Sequence, residues 1–307
     1  MSRVLITPRS LTKSGHPALA RLEEAGCELV FSTPGVQPDE DELLRLAPGC
    51  VGYLAGVEKI SARVIDAATD LKVIARNGVG VDNIDLEAAR RAGVEIVRAA
   101  GANARGVAEL TIALMLALAR DVAFSDAHLK RADWQRRRGI ELCGRTLGLV
   151  GCGQIGQQVA ALALALGMKV IAYDPSPQES FRPRGEFRYA CLEEVFSASH
   201  VVSFHCPPPP DGKPLVTRES LATMRRGVYL INTARAGLLD EEVLLEGLND
   251  GHVTGLALDV FAAEPPGENP LVQHDRVVAT PHLGGYTDES IARAVEVAVQ
   301  GILDRLR

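Results

Sequence analysis

The sequence predicts an α/β fold in two domains, each a parallel sheet covered by helices on both faces. Three observations predict it. The chain has 307 residues, about twice the length of a typical single domain. Short β-rich runs alternate with helical patterns from end to end, which is the signature of βαβ units. That alternation pauses once, in an apolar helical stretch, and then restarts.

In the first series, strands are read at Val4–Thr7, Glu28–Phe31, Val51–Leu54, Lys72–Ala75 and Val94–Val97. Helical patterns lie between them at His16–Ala25, Glu40–Leu46, Ala62–Ala68 and Leu86–Ala92, and Gly26 and Gly93 stand at helix stops. One long helix is expected next, from about Ala104 to Lys130. Its first half, Val107–Leu118, is apolar on nearly every side, which predicts burial between domains or against another subunit. The Trp134-Gln135-Arg136-Arg137-Arg138 segment is read as a solvated loop. The second series has six strands: Thr146–Val150, Lys169–Tyr173, Val201–Phe204, Val228–Ile231, Thr254–Leu258 and Val277–Thr280. Six strands make the two βαβαβ halves of a dinucleotide-binding domain. The last helix, Asp288–Leu306, has no strand after it, and the pattern alone leaves open which sheet it covers.

Composition narrows the class. Apolar residues make up 47% and charged residues 23%, as in globular proteins. Lysine and arginine (33) are outnumbered by aspartate and glutamate (39), giving a net charge of −6, so no basic excess exists to neutralise a nucleic-acid backbone. The six cysteines are scattered with no C-x-x-C pair and no metal-ligand spacing, which predicts reduced thiols and a cytoplasmic protein. Met1–Thr7 reads as a strand and not a signal peptide, and no apolar stretch is long enough to cross a membrane.

The cofactor signal is Gly151-Cys152-Gly153-Gln154-Ile155-Gly156, a G-x-G-x-x-G. The strand Leu147–Val150 runs into it and a helical run, Gln157–Leu166, leaves it. The first glycine permits the tight turn, the second lets backbone approach a pyrophosphate, and the third allows close helix packing. The next strand ends at Asp174, whose carboxylate suits ribose hydroxyls and repels a 2′-phosphate. NAD is therefore expected in preference to NADP.

Three further strand ends carry polar residues that a plain core does not need. Tyr229–Ala234 leads into Arg235, Leu256–Leu258 leads through Asp259 to Glu264, and Val277–Ala279 leads through Thr280-Pro281 to His282. Ligands of open α/β sheets bind at the carboxyl ends of strands, which predicts that these side chains gather beside the nicotinamide. His282 suits a general acid, because an imidazole titrates near neutral pH. Glu264 on its other ring nitrogen would favour the imidazolium. Arg235 suits a substrate carboxylate and a carbonyl oxygen. With the carbonyl polarised by Arg235 and no ligand cluster in the sequence, no metal is expected.

Taken together, these residues resemble the D-isomer-specific 2-hydroxyacid dehydrogenases over essentially the whole chain. Asn77–Asp85 is similar to that family's substrate loop, and Gly101–Glu109 to the start of its interdomain helix. The resemblance implies two Rossmann-like/flavodoxin-like doubly wound domains with the cofactor cleft between them. It divides the chain into a discontinuous substrate domain, 1–98 plus 284–307, and an NAD domain, 99–283. It implies a homodimer through the NAD domain, with a small 2-hydroxy acid or 2-oxo acid as substrate. It gives Arg235, Glu264 and His282 the catalytic roles, and places Val79, Gly80 and Asn103 with Arg235 and His282 at the substrate. It places Gly151, Gly153, Gln154, Ile155, Gly156, Asp174, Thr233, Ala234, Arg235, Asp259, His282, Gly284 and Gly285 at NAD. His205-Cys206-Pro207, ending a strand at the same edge, is expected to line the ribose pocket. The D preference rests on this resemblance alone.

Within the family, Arg76–Asp85 is most similar to the 3-phosphoglycerate dehydrogenases. Those enzymes usually carry a phosphate-binding arginine where this chain has Gly56, with Lys59 as a partial substitute in the form of a point charge; the resemblance therefore implies a 3-phosphoglycerate dehydrogenase, with an enzyme of an unphosphorylated acid, like glyoxylate or hydroxypyruvate reductases, as the alternative. Gly106 replaces a frequent serine. A sequence ending at Arg307 predicts no carboxy-terminal regulatory domain. Glu264 argues against formate dehydrogenase, whose relatives pair the histidine with glutamine. The reading from another class is an NAD-sensing, co-repressor-like binding protein, which gives no reason for an intact Arg/Glu/His set.

Overall fold

Two wholly parallel sheets form the framework of the computed structural model, which describes residues 1–306. By their internal contacts the residues fall into two units, Met1–Asn103 with the segment from Gly285 onward, and Ala104–Gly284.

The first unit holds β1 (Ser2–Ile6), β2 (Cys27–Phe31), β3 (Cys50–Ala55), β4 (Val73–Arg76) and β5 (Glu95–Arg98), in the order β2-β1-β3-β4-β5. The order reverses between β1 and β3, the topological switch point of a doubly wound sheet. Both faces are covered, so strand residues alternate between two cores and not between core and water. Leu5, Tyr53 and Ile74 pack under the Glu40–Leu46, Ala62–Ala67 and Leu86–Ala92 helices. Val4, Ile6, Leu54 and Val73 pack on the other face with Leu11, Leu19, Val299 and Ile302. The Asp288–Leu306 helix therefore covers this sheet, with Ile302 against Gly52 and Arg305 paired to Glu95 at 2.7 Å.

The second unit holds β6 (Thr146–Val150), β7 (Lys169–Tyr173), β8 (Phe187–Tyr189), β9 (Val201–Phe204), β10 (Val228–Asn232), β11 (Val253–Leu258) and β12 (Val277–Ala279). Their order is β12-β11-β10-β9-β6-β7-β8, with the switch point between β6 and β9. Leu147, Leu149, Val170 and Ile231 face the Ala104–Ala119 and Gln154–Ala165 helices. Val202, Phe204, Leu230 and Leu256 face the helices of the opposite side.

Several expectations need correction. The Ala104–Lys130 helix is two, Ala104–Ala119 and Val122–Leu129, broken at Asp121, whose φ of 50° is left-handed. The chain returns at the break, where the Ile140 amide donates to the Ala119 carbonyl at 2.8 Å and ends the first helix. The Trp134–Arg138 loop is exposed as expected, apart from Arg137, which is drawn into the structure. Arg137 stacks on the Phe124 ring at 3.3 Å and donates to the Asp275 carbonyl and carboxylate at 3.0 Å. The second sheet has seven strands and not six, because three-residue β8 is too short to show periodicity and is held by its ladder to Val170–Ala172. His16–Ala25 is a 3₁₀ turn, Pro17–Leu19, followed by Ala20–Glu24. The helix of the glycine loop starts at Gln154, three residues earlier than read. The apolar stretch Val107–Leu118 is not buried all round within the chain: Thr111, Leu114, Met115 and Leu118 face the core, while Ala113 and Leu116 are exposed.

Candidate active site

The carboxyl ends of β6, β7, β9, β10, β11 and β12 carry the second unit's chemistry along one edge of one sheet. At β6 the three glycines do different work. Gly151 turns at φ 97°, and a Cβ there would meet the His205 carbonyl carbon at 2.7 Å and the Cys206 nitrogen at 2.8 Å. A Cβ on Gly156 would overlap the Gly151 carbonyl oxygen. These two are required by the protein's own packing. Gly153 is different: a Cβ there meets nothing within 4 Å, and no side chain caps the Gln154–Ala165 helix that it opens. The open space beside Gly153 and the uncapped amides are what a pyrophosphate needs, so the residues fit a dinucleotide. Gln154 and Ile155 form the first turn of that helix.

At the end of β7, Asp174 accepts from the Cys152 amide at 2.8 Å and from the Ser176 amide at 2.9 Å, one bond on each oxygen. The carboxylate is thereby fixed against the glycine loop, and each oxygen keeps acceptor capacity for a ribose hydroxyl. After β9, His205 Nε2 lies 2.9 Å from Ser203 Oγ, while Nδ1 is buried without a partner. Burial pushes this imidazole down to about 3, so it is neutral at physiological pH. Burial likewise pushes the Cys152 and Cys206 thiols up to about 11, and neither is a thiolate at neutral pH. Pro207 follows in the exposed part of the loop.

After β10 the chain turns on Asn232, which is fully buried. Its amide nitrogen donates to the Arg235 carbonyl at 2.8 Å and its oxygen accepts from the Ala234 amide at 3.0 Å. The Arg235 guanidinium donates to the Ala234 carbonyl at 2.8 Å. Thr233 has its hydroxyl 3.0 Å from that of Thr111; because Thr111 donates to the Val107 carbonyl, Thr233 is the donor of that pair.

After β11 and β12 the two key side chains meet. His282 Nδ1 lies 2.8 and 3.0 Å from the Glu264 carboxylate oxygens, and both residues are partly exposed. Glu264 is steadied by the Phe261 amide at 3.2 Å. His282 itself is held in a left-handed conformation, φ 53°, which a β-carbon-bearing residue adopts only under constraint. Asp259 supplies the constraint. It is 1% exposed, and its carboxylate accepts from Thr280 Oγ1 at 2.6 Å, the Leu283 amide at 2.7 Å and the Gly284 amide at 2.8 Å. Asp259, expected against NAD, thus has its carboxylate committed to the turn that presents His282.

The remaining expected residues belong to the first unit. Val79 and Gly80 lie in the loop leaving β4, where Val79 is exposed. Asn103 packs against Gly285, its Nδ2 3.1 Å from where a Cβ would sit. Sequence reasoning did not single out Asn232, Thr111 and Thr280 as parts of the site. Asn232 and Thr280 stood inside the quoted motifs, but their work is hydrogen bonding to backbone, which no spacing rule reveals.

A dinucleotide-fitting glycine loop on the same sheet edge as an arginine, a glutamate and a histidine defines an NAD-dependent oxidoreductase. Residues 112–284 match the family described as D-isomer specific 2-hydroxyacid dehydrogenase, NAD binding domain. The chain is 42% identical over 274 residues to a hydroxypyruvate reductase of Thermotoga maritima, covering 87% of this chain and 89% of that one. It is 44% identical over 293 residues to a D-3-phosphoglycerate dehydrogenase of Methanocaldococcus jannaschii, covering 94% of this chain and 55% of that one, so it spans about half the length of that relative. The TT0316 protein of Thermus thermophilus superposes with a TM-score of 0.88 at 40% identity, covering 99% of this chain and 96% of that one. The protein belongs to the D-isomer-specific 2-hydroxyacid dehydrogenase family. Among the described residues no helix is long and apolar enough to cross a membrane.

Proposed function

We propose that this chain interconverts a D-2-hydroxy acid and its 2-oxo acid, with His282 as general acid and base, Glu264 as its partner and Arg235 as the substrate cation. The His282–Glu264 contact at 2.8 Å carries the reading. Nδ1 is engaged by the carboxylate, so Nε2 is the nitrogen that gives a proton to the carbonyl oxygen on reduction and takes it back on oxidation. Bound NADH supplies the hydride to the substrate's C2. Arg235 holds the substrate carboxylate and polarises the carbonyl.

Gly151, Gly153, Gly156, Gln154 and Ile155 form the pyrophosphate cradle, and Asp174 takes the adenosine ribose. His205-Cys206-Pro207, Thr233-Ala234 and Gly284-Gly285 line the cofactor's path, while Asp259 serves through the turn it holds. The NAD role falls to the second unit and the substrate role to the first. The contribution of the first unit to carboxylate binding, through the Val79 and Gly80 amides and Asn103, rests on the sequence resemblance alone. We also read the protein as a cytoplasmic homodimer. Six free thiols support the compartment, and an exposed apolar groove lined by Ala113, Leu116, Val122 and Leu129 supports self-association through the NAD domain.

His282→Asn tests the mechanism. It should leave NADH binding intact and lower turnover by at least ~100-fold, the usual scale of general acid–base catalysis. Unchanged turnover would remove His282 from the reaction.

A further inference from the structure

The edge strand β8 pairs with β7 alone, yet it carries one side chain back to the glycine loop. The Tyr189 hydroxyl lies 3.7 Å from Cys152 Sγ and 3.4 Å from the Gln178 carbonyl, and its single hydrogen serves one or the other. Burial, and then the neighbouring Cys152, push this phenol up to about 12, so it stays an O–H donor at neutral pH. Gln178 stands in the exposed loop between β7 and β8, beyond Asp174. Its side-chain oxygen accepts from Gln157 Nε2 at 2.7 Å, and the same nitrogen donates to the Cys152 carbonyl at 3.1 Å. Gln157, on the helix that leaves the glycine loop, thus spends one amide hydrogen on each of the two loops. The Gln178 carbonyl also accepts from the Phe181 amide at 2.9 Å, and Phe181 packs edge to face on Phe187, its neighbour Tyr189 doing the same, each at 5.1 Å.

These contacts converge on one residue of the glycine loop. The Cys152 amide is held by Asp174, its carbonyl by Gln157 and its sulfur by Tyr189. Asp174 in turn accepts from two backbone amides, Cys152 in the glycine loop and Ser176 in its own loop. A carboxylate held in this way is placed only as well as the two loops that supply the amides. The glycine loop is anchored between β6 and its helix, but Pro175, Ser176, Pro177 and Gln178 all lie exposed on a surface connection, where the chain is most mobile. The Gln157–Gln178 bond and the Tyr189 hydroxyl are what join that connection to the anchored loop.

We propose that Gln157, Gln178 and Tyr189 are positioning residues for the cofactor: they fasten the loop after β7 to the glycine loop and so fix the Asp174 carboxylate where it admits a ribose 2′-hydroxyl and excludes a 2′-phosphate. The inference rests on the ribose role proposed for Asp174 and deepens it. A recognising group is only as selective as the contacts that hold it in place. A carboxylate free to swing away from an incoming phosphate loses the like-charge repulsion by which it discriminates, and it also meets a ribose hydroxyl less often.

Fluorescence titration of the full chain with NADH and with NADPH, in the absence of any substrate, tests this. Wild type should bind NADH the more tightly. Gln178→Ala, at an exposed position that leaves the fold intact, should narrow the NADH-to-NADPH affinity ratio by ~5-fold or more, the scale of one net hydrogen bond. Tyr189→Phe should narrow it in the same direction. A merely structural loss weakens both dinucleotides by the same factor and leaves the ratio where it was. Hydrogen exchange of the 151–157 segment without cofactor reads the grip on the Cys152 amide directly. It should be faster in Gln178→Ala than in wild type, and unchanged exchange overturns the proposal. Asp174→Asn is the comparator. If it shifts the affinity ratio and neither Gln178→Ala nor Tyr189→Phe does, the positioning role is overturned while the ribose role of Asp174 stands. If none of the three variants shifts the ratio, or wild type shows no preference for NADH, both are overturned.

Discussion

Asp174 accepts the Cys152 amide in addition to the ribose role proposed for it, so the two must be separated by the choice of variant. Asp174→Asn keeps an acceptor oxygen for the glycine loop and removes the charge that repels a 2′-phosphate. It should reduce the preference for NAD over NADP by ~10-fold or more in kcat/KM, since a like-charge contact is relieved. An unaltered ratio would mean that the ribose is discriminated elsewhere. The position of Asp174 was legible in the sequence because a strand end after a G-x-G-x-x-G is a fixed offset. Its hydrogen bond back to Cys152 was not, because that bond depends on the pairing of β6 with β7. Asp259 shows the same division more sharply. Its place after β11 could be read, whereas its buried grip on Thr280, Leu283 and Gly284 required the neighbouring strand.

At the level of elements, the Ala104–Ala119 helix has one face in the core and another face of alanine and leucine open to water. Leu116 is 39% exposed, Val122 54% and Leu129 59%. Exposed apolar side chains grouped in this way mark an association surface. If the proposed homodimer forms through this face, Leu116→Glu should leave the protein a monomer in light scattering at micromolar concentration where the unaltered chain is a dimer, with the helical circular dichroism preserved. A dimer that persists would place the interface elsewhere. The apolar pattern predicted that something covers this helix; it gave no sign that the helix stops at Ala119. The stop depends on Ile140, twenty-one residues further on, and on Arg137 stacking over Phe124.

For the molecule as a whole, stability must depend on pH through His205. Its imidazole is pushed down to about 3 in the folded state, against about 6.5 when exposed in the unfolded chain. Between those values the unfolded state binds more protons, so stability falls as pH drops from about 6.5 toward 3 and is independent of this group above that window. The residue is partly exposed although Nδ1 is sealed, so we expect a loss of about 2–4 kcal/mol at the acid end, at roughly 1.4 kcal/mol per pKa unit. Urea unfolding at pH 7 and pH 4 checks this. His205→Asn should lose less stability than wild type between the two, and equal losses would show that His205 is not the group responsible.

Local signals along the chain were enough to read the α/β class, eleven of the strands, the glycine loop and the motifs that carry Arg235, Glu264 and His282. They were enough because hydrophobic period, helix stops and motif spacing are local properties of the chain. Tertiary structure alone decided the rest. It set β8 beside β7, packed the Asp288–Leu306 helix onto the first sheet, committed Asp259 to the His282 turn and joined the buried Glu58 to Thr7 and Tyr53. Each of these joins residues far apart in sequence, and which partner a buried polar group or an apolar face finds is settled only when the sheets are assembled.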